Sequence, residues 1–338
     1  MIVTKAGIFV RTCSFHGRLF VTSGVYQNFR QSLGKKVKLA SKFSRRNFQT
    51  EAKNGWRSWE ATARPTGFTA ENAGKAVLAG GCLAGIGALC YYGLGLSNEL
   101  GAVDKARFWP EEVRSRVKST YLYFTGSLAI TAVSAYGISQ SNAVYAMMRA
   151  NKWLVLGGSL VAMIGTSIAC QSIPYEPGFN AKHLMWIGHS AVIGAVIAPM
   201  VLLGGPLVLR AAAYTAGTVA GLSLTAACAP DGKFLTWGGP LALALGGICV
   251  ASIGGMFLPA SSAVGAGINS VVTYGGLVIF GGFMLYDTQK IIKTAEVTTY
   301  QRRPYDPINA SLGIYMDTIN IFIRILIILA NGNQKRRK

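Results

Sequence analysis

Charged side chains are scarce in this sequence. Asp, Glu, Lys and Arg make up 14% of its 338 residues, whereas soluble domains average about 25%. Hydrophobic residues make up 51% of the chain, and they are collected in long runs rather than in the short alternating segments of a soluble core. This composition excludes an ordinary soluble domain and predicts an all-α polytopic membrane protein.

Acidic residues are missing altogether from the first 50 residues, which contain ten Lys and Arg. A basic, hydroxylated and acid-free segment is typical of a mitochondrial presequence, and it lacks the apolar run of about 7–15 residues that a secretory signal needs. In the stretch RRNFQT, Arg46 is the third residue before a cut after Phe48, so we expect cleavage there. The alternative is a disordered basic arm that binds nucleic acid or anionic lipid.

The patterns of common catalytic and metal sites are also missing. The six cysteines form no CxxC pair, and His183 and His189 have no neighbouring carboxylate or cysteine in the sequence. The stretch AGKA at 73–76 lacks the upstream glycine and the following Ser or Thr of a phosphate-binding loop, and no HExxH or nucleophile elbow occurs. We therefore expect no enzyme activity, no catalytic residue and no cofactor.

Long apolar runs are what the sequence has instead, and eight of them approach the ~20 residues that cross a bilayer. They cover 73–96, 120–138, 153–171, 184–203, 208–228, 237–258, 266–286 and 312–330. The predicted organisation is a presequence (1–48), a short N-terminal segment (49–72), an additional span (73–96), a loop with a short amphipathic helix (97–119), a bundle of seven spans (120–331) and a basic tail (332–338).

An even number of spans puts both mature termini on the same side of the membrane. Presequence import delivers the N-terminus to the matrix, and the basic stretch KRRK at 335–338 favours a matrix C-terminus. We therefore expect the connections 97–119 and 287–311 to face the intermembrane space.

Ionisable residues inside the spans are concentrated in the last two. We place Asp287 at the membrane edge of the seventh run, whereas Asp317 and Arg324 lie within the eighth, and Asp306 is expected to be a solvated loop residue. A charge at the bilayer centre costs about 2.5–3.5 kcal/mol, so each one indicates a function or a partner. Asp317 and Arg324 share a helix face but are about 10.5 Å apart along the axis, so they cannot pair directly. Arg324 could snorkel towards the interface or pair with another carboxylate.

Asp287 and Asp317 are the candidate site for a proton and a cation. If they approach in a poorly solvated site, one keeps a proton at neutral pH, and a cation can replace it because metals bind the deprotonated form. Calcium takes about six to eight oxygens, so Asn320, Tyr286, Tyr315, backbone carbonyls and water would complete a weak, transient site. The alternative is that Asp287 is solvated and Asp317 is a structural hydrogen-bonding group.

Several stretches resemble the transmembrane Bax inhibitor motif (TMBIM) family over roughly residues 106–332. LYDTQK and YDPINASLGIYMDTINIFIR resemble its C-terminal signature. KHLMWIGHSAVIGAVIAPM, GGPLVLRAAAYTAG, CAPDGKFL and MFLP resemble the middle of its mitochondrial branch. The resemblance implies a bundle of seven helices with a central last helix, here preceded by one additional span.

The resemblance also implies a function. Family members act in calcium leak or cation/proton exchange under the control of two aspartates in the last two spans, which Asp287 and Asp317 match. The mitochondrial branch implies calcium/proton and potassium/proton exchange across the inner membrane, cristae organisation, retention of cytochrome c and regulation of an inner-membrane AAA protease. The implied partners are these ions, inner-membrane lipids and those two proteins, and not nucleic acid.

One feature of the family pattern is absent. Relatives place an arginine in an early span against the two aspartates, but the run 153–171 contains no basic residue. Arg324 is the candidate substitute. The rival function is a non-transporting membrane scaffold that organises cristae and regulates partner proteins, for which the two intramembrane carboxylates would be unnecessary.

Overall fold

The computed structural model describes residues 70–93, 101, 109–259 and 262–335. The predicted presequence with its cleavage position at Phe48, residues 49–69 and the end of the basic tail at 336–338 lie outside these ranges. The described helices, in chain order, are α1 Ala70–Gly93, α2 Glu111–Ser139, α3 Asn142–Arg149, α4 Lys152–Ser172, α5 Ala181–Val201, α6 Gly205–Cys228, α7 Gly238–Phe257, α8 Ala263–Ser270, α9 Gly276–Tyr300 and α10 Pro307–Lys335.

Eight helical segments in the described ranges are long and apolar enough to cross a membrane. The seventh is continuous from α8 through a π-helical turn, Val271–Gly275, into α9. The predicted fold, an all-α multi-pass protein with about eight spans, is therefore confirmed. The short helix α3 between the second and third spans was not predicted, because its eight residues lie outside the apolar runs.

The helices extend beyond the apolar runs on which the sequence analysis depends. α2 begins at Glu111, so the predicted separate surface helix in 97–119 is instead the first turns of the second span. α9 continues to Tyr300 and α10 begins at Pro307, which reduces the predicted connection 287–311 to residues 301–306. Hydropathy marks the apolar part of a helix, whereas backbone hydrogen bonding continues through the charged turns beyond it.

The last helix, α10, lies at the centre of the bundle, as the family resemblance implied. In its most apolar window 72% of the residues are buried, against at most 44% in any other span. It packs against α2, α6 and α9. Since lipid is as apolar as these side chains, the packing is stabilised by van der Waals contact and interhelical hydrogen bonds rather than by removal of surface from water.

Hydrogen bonds between side chains of α2, α5, α9 and the 301–306 connection define one face of the bundle, here called the connection face. Arg116 donates to Thr298 at 2.7 Å, and the Thr120 and Tyr305 hydroxyls are 2.6 Å apart. The connections 173–180, 229–234 and 301–306 all lie on this side. The C-terminal end of α10 lies on the opposite side, since the spans alternate in direction.

α2 and α5 form a close pair. The hydroxyls of Thr131 and Ser134 in α2 donate to backbone carbonyls of Ser190 and Ala191 in α5, at 3.1 and 2.9 Å. Gly194 makes this approach possible, since a Cβ there would lie 2.6 Å from the Thr131 carbonyl oxygen. Small residues and hydroxyl groups at such contacts are typical of helix pairs in membranes.

Gly194→Ala is expected to separate α2 from α5 and to lower stability by about 1–3 kcal/mol, because the added methyl meets backbone atoms that cannot move aside. Gly188→Ala in the same helix is the matched control, since its Cβ would meet nothing within 4 Å. The measurement is thermal unfolding of the purified protein in detergent. Equal midpoints for the two variants would contradict the assigned contact.

Candidate cation site

Asp287 is buried inside α9, about 20 Å before the helix ends, with 3% of its surface exposed. This burial excludes the alternative that Asp287 is solvated, and its position at the membrane edge stays a prediction. The residues that follow it bind neighbouring elements: Thr288 donates to Ser223 of α6 at 3.3 Å, and Gln289 donates to the Pro230 carbonyl at 2.9 Å and accepts from the Phe234 amide at 2.8 Å. Protein therefore surrounds α9 at residues 287–289.

The carboxylate of Asp287 lies against α10 at Gly313. Its Oδ2 atom occupies the space in which a Cβ at position 313 would lie. Asp317 follows Gly313 by four residues, about 6 Å along the helix, and is 0% exposed. The structure therefore buries both predicted site residues in the contact between α9 and α10, about one helical turn apart.

Lys290 approaches Asp287 from one turn further along α9. Its Nζ atom is 3.9 Å from Asp287 Oδ1 and 5.3 Å from the centre of the Tyr286 ring. The lysine side chain is 39% exposed, so solvent weakens this pair. A cation that binds Asp287 would compete with a weakly held ammonium group.

The two tyrosines predicted to support the site make contacts in other directions. The Tyr286 ring packs on Gly238 at the start of α7. The Tyr315 hydroxyl is 2.6 Å from the Thr131 hydroxyl of α2, and the Tyr315 ring lies 6.3 Å from that of His189 in α5. Tyr315 is completely buried and thus joins α10 to α2 and α5.

Arg324 is also completely buried, which excludes one of the two alternatives left open for it, snorkelling to the interface. Its guanidinium lies over the Phe280 ring at 4.6 Å and donates weakly to Asn320 Oδ1 at 3.4 Å. Gly276 of α9 makes room for it, because a Cβ there would overlap the guanidinium. Among the residues that the structure describes, its Nε and Nη2 atoms have no hydrogen-bond partner.

One side of α10 carries a line of polar residues and one glycine, which we call the polar face of α10. Its members recur every three or four residues and therefore share one side of the helix: Asp306, Asn309, Gly313, Asp317, Asn320 and Arg324. Asn309 and Arg324 are about 22 Å apart along the axis.

Asp306, expected to be solvated, is 25% exposed and binds Lys182 at 2.7 Å, because α5 brings a buried ammonium to the start of α10.

A resident metal centre is not evident in the described ranges, which contain no group of three or more His, Cys, Asp and Glu side chains that could hold an ion. The α9–α10 contact offers two carboxylates and the amide of Asn320. Such a donor set is too small for tight calcium binding and suits an ion that passes through.

Sequence reasoning missed Lys182, Gly313 and Gln289. Lys182 precedes an apolar run and has the pattern of an ordinary interfacial lysine. Gly313 is one of 41 glycines in the chain, and only its spacing of four residues before Asp317 could have marked it. Gln289 follows Asp287 directly, and a polar triple in the seventh span was a signal that this segment is enclosed by protein.

The comparison with known proteins is consistent with this geometry. A family model described as "Inhibitor of apoptosis-promoting Bax1" matches residues 113–334, which include nearly all of α2 and α10 and every helix between them. The chain belongs to this Bax inhibitor family. The predicted family is therefore confirmed, and α1 is additional to the matched bundle.

Individual relatives support the same assignment. Growth hormone-inducible transmembrane protein of Rattus norvegicus is 51% identical over 271 residues, 80% of this chain and 78% of the relative. Inner membrane protein YbhL of Escherichia coli K12 is 25% identical over 65% of this chain and 92% of its own length. A Campylobacter jejuni protein, Cj0236c, is 28% identical over 65% of this chain.

Gly313→Ala tests the close approach of Asp287 to α10. We expect the added methyl to displace the carboxylate or to separate α9 from α10, at a cost of about 1–3 kcal/mol in stability. Gly332→Ala in the same helix is the control, because its Cβ would meet nothing within 4 Å, and it should be neutral or stabilising by up to about 1 kcal/mol. Thermal unfolding measures both, and an unchanged midpoint for Gly313→Ala would refute the contact.

Proposed function

We propose that this protein is a cation/proton exchanger, or a pH-gated calcium pathway, of the mitochondrial inner membrane. The observation that carries the proposal is the burial of Asp287 and Asp317, at 3% and 0% exposure, about one turn apart in the contact between two membrane-spanning helices. The membership in a family associated with calcium leak and cation/proton exchange supports it.

The chemistry follows from the low polarity of the surroundings. Two carboxylates in a poorly solvated site do not both ionise cheaply, so their protons are lost in coupled steps. A cation such as calcium or potassium binds the ionised form, and its departure lets a proton return. The proton-bound site and the cation-bound site then both leave little uncompensated charge inside the membrane. The protein can therefore exchange one ion for the other.

Arg324 would limit how far a cation moves along the polar face. The α-carbon of Arg324 lies about 10.5 Å beyond that of Asp317, on the side away from the connection face. In a medium of low effective dielectric, a fixed guanidinium repels an approaching cation over this distance. We infer that an ion bound at the two aspartates exchanges with the connection face in this conformation and needs a rearrangement of Arg324 to leave on the other side.

We propose a mitochondrial address from the N-terminal composition, with both mature termini in the matrix and the connection face towards the intermembrane space. The ten basic residues and the absence of acidic ones in residues 1–50 support import. The additional roles in cristae organisation, cytochrome c retention and control of an AAA protease are part of the proposal through the family resemblance alone.

Cleavage after Phe48 is tested by the N-terminus of the mature chain isolated from mitochondria, which mass spectrometry should find at Gln49. Arg46→Ala should reduce processing at this position, since Arg46 is the recognition residue before the cut. Arg30→Ala, a change of the same kind elsewhere in the basic segment, should leave it unaltered. A mature chain that still begins at Met1 would contradict the presequence.

Exchange is tested with purified protein in vesicles in which the pH and calcium gradients are set independently. With no calcium gradient, a pH gradient should concentrate calcium if the protein is an exchanger, whereas a pH-gated pathway would only equilibrate it. Asp317→Asn and Asp287→Asn should lower proton-coupled flux by about tenfold or more, because an amide can neither take up the proton nor supply the negative charge.

Asp231→Asn is the matched control, since this carboxylate is exposed in the 229–234 connection, and its flux should equal that of the unaltered protein. Full flux in Asp317→Asn would refute the site.

The scaffold function is tested by the cristae of cells that contain the Asp317→Asn protein. If this protein transports no ions and the cristae stay normal, the organising activity is separable from transport.

A further inference from the structure

The ammonium group of Lys182 lies in a cage of oxygen atoms. Its Nζ donates to Asp306 Oδ2 at 2.7 Å, to the Ile173 carbonyl at 2.8 Å and to Asn309 Oδ1 at 3.0 Å. These oxygens come from the end of α4, the 301–306 connection and the first turn of α10. The lysine is 0% exposed, so its ammonium has exchanged its water shell for three protein oxygens.

The cage is held in place by its own hydrogen bonds. Asp306 Oδ1 accepts a hydrogen bond from the backbone N–H of Asn309 at 3.0 Å, which fixes the carboxylate at the start of α10. The Asn309 side-chain amide donates to the Gln171 carbonyl at 3.4 Å, so the Asn309 oxygen is directed at the ammonium. The oxygens are therefore positioned by contacts that do not depend on Lys182.

A set of one carboxylate, one amide oxygen and one carbonyl is a donor set for a small monovalent cation. Oxygen ligands of this kind are the hard donors that alkali ions prefer, and an ammonium ion is close to a potassium ion in size. An ordinary surface ion pair would leave the lysine stem solvated. Here the stem is buried and only the charged end meets oxygen.

The cage also has a defined place on the polar face of α10. Asp306 and Asn309 are its first two members from the connection face, and Gly313, against which the Asp287 carboxylate lies, is one turn further. A cation that left the cage towards the bundle interior would next meet Asp287.

We propose that the oxygens around Lys182 form an outer monovalent-cation site, which the protein's own ammonium group fills in this conformation. Removal of the lysine side chain beyond Cβ vacates the cage and leaves space along the former stem, so that potassium or ammonium ions can enter. Binding at this site does not depend on exchange; only its role as an entrance to the two aspartates rests on the proposed function.

The test is thermal unfolding of the purified full-length Lys182→Ala variant, titrated with potassium chloride, ammonium chloride or the bulky N-methylglucamine chloride at constant ionic strength. Potassium or ammonium should raise the midpoint in a saturable manner, by about 2 °C at tenfold excess over the apparent Kd, and N-methylglucamine should not. Equal responses to all three salts would overturn the proposal and leave Lys182 as a structural clamp.

Two further variants separate the cage from general salt effects. Lys182→Met fills the same volume with an apolar chain, so it should be destabilised without rescue by any of the three cations. Lys293→Ala removes a half-exposed lysine of α9 and should respond like the unaltered protein. A saturable potassium response in either variant that exceeds the response of the unaltered protein would contradict a site at the vacated cage.

Lys182→Ala could fail to fold in the absence of a small cation. Recovery of folded variant only from buffers with potassium or ammonium would then support the proposal. If no buffer yields folded protein, Lys182→Gln, a shorter uncharged donor, is titrated in the same way, and lack of a selective response overturns it. Since unfolding is measured without flux, loss of the cage and loss of exchange are distinguishable.

Discussion

The polar face of α10 has to be kept away from lipid, and the arrangement of the other helices depends on this requirement. α9 lies along that face, where Gly313 and Gly276 permit close approach to Asp287 and Arg324. Tyr315, on another side of α10, is bonded to α2. With α6 packed on the same central helix, charges that would be costly in a bilayer are enclosed by protein.

The enclosure of these charges by protein also couples the binding of a cation to the release of a proton. The polar face and its contacts hold three cationic side chains, Lys182, Lys290 and Arg324, and three carboxyl groups, Asp287, Asp306 and Asp317. In the proposed exchange, Asp287 and Asp317 share one proton until a cation binds. In surroundings of low polarity, binding of an additional cation costs less free energy if positive charge leaves as the cation binds. A proton is the group that a carboxylate can release, so charge balance couples cation binding to proton release.

The sequence was sufficient for the membrane class and the number of spans, because apolar length is a property of single segments. It was insufficient where a contact joins distant segments. The burial of Arg324 depends on Gly276, and the ion pair of Asp306 depends on Lys182 in another helix. The burial of Asp287 depends on Gly313 in α10, which hydropathy does not detect.

The competition between a proton and a cation at Asp287 and Asp317 is the central claim, and proton release on calcium addition measures it without a membrane. Purified protein in weakly buffered detergent solution should release about one proton for each calcium ion that binds, and Asp317→Asn should release none. Calcium binding to the unaltered protein with no change in pH would contradict the account.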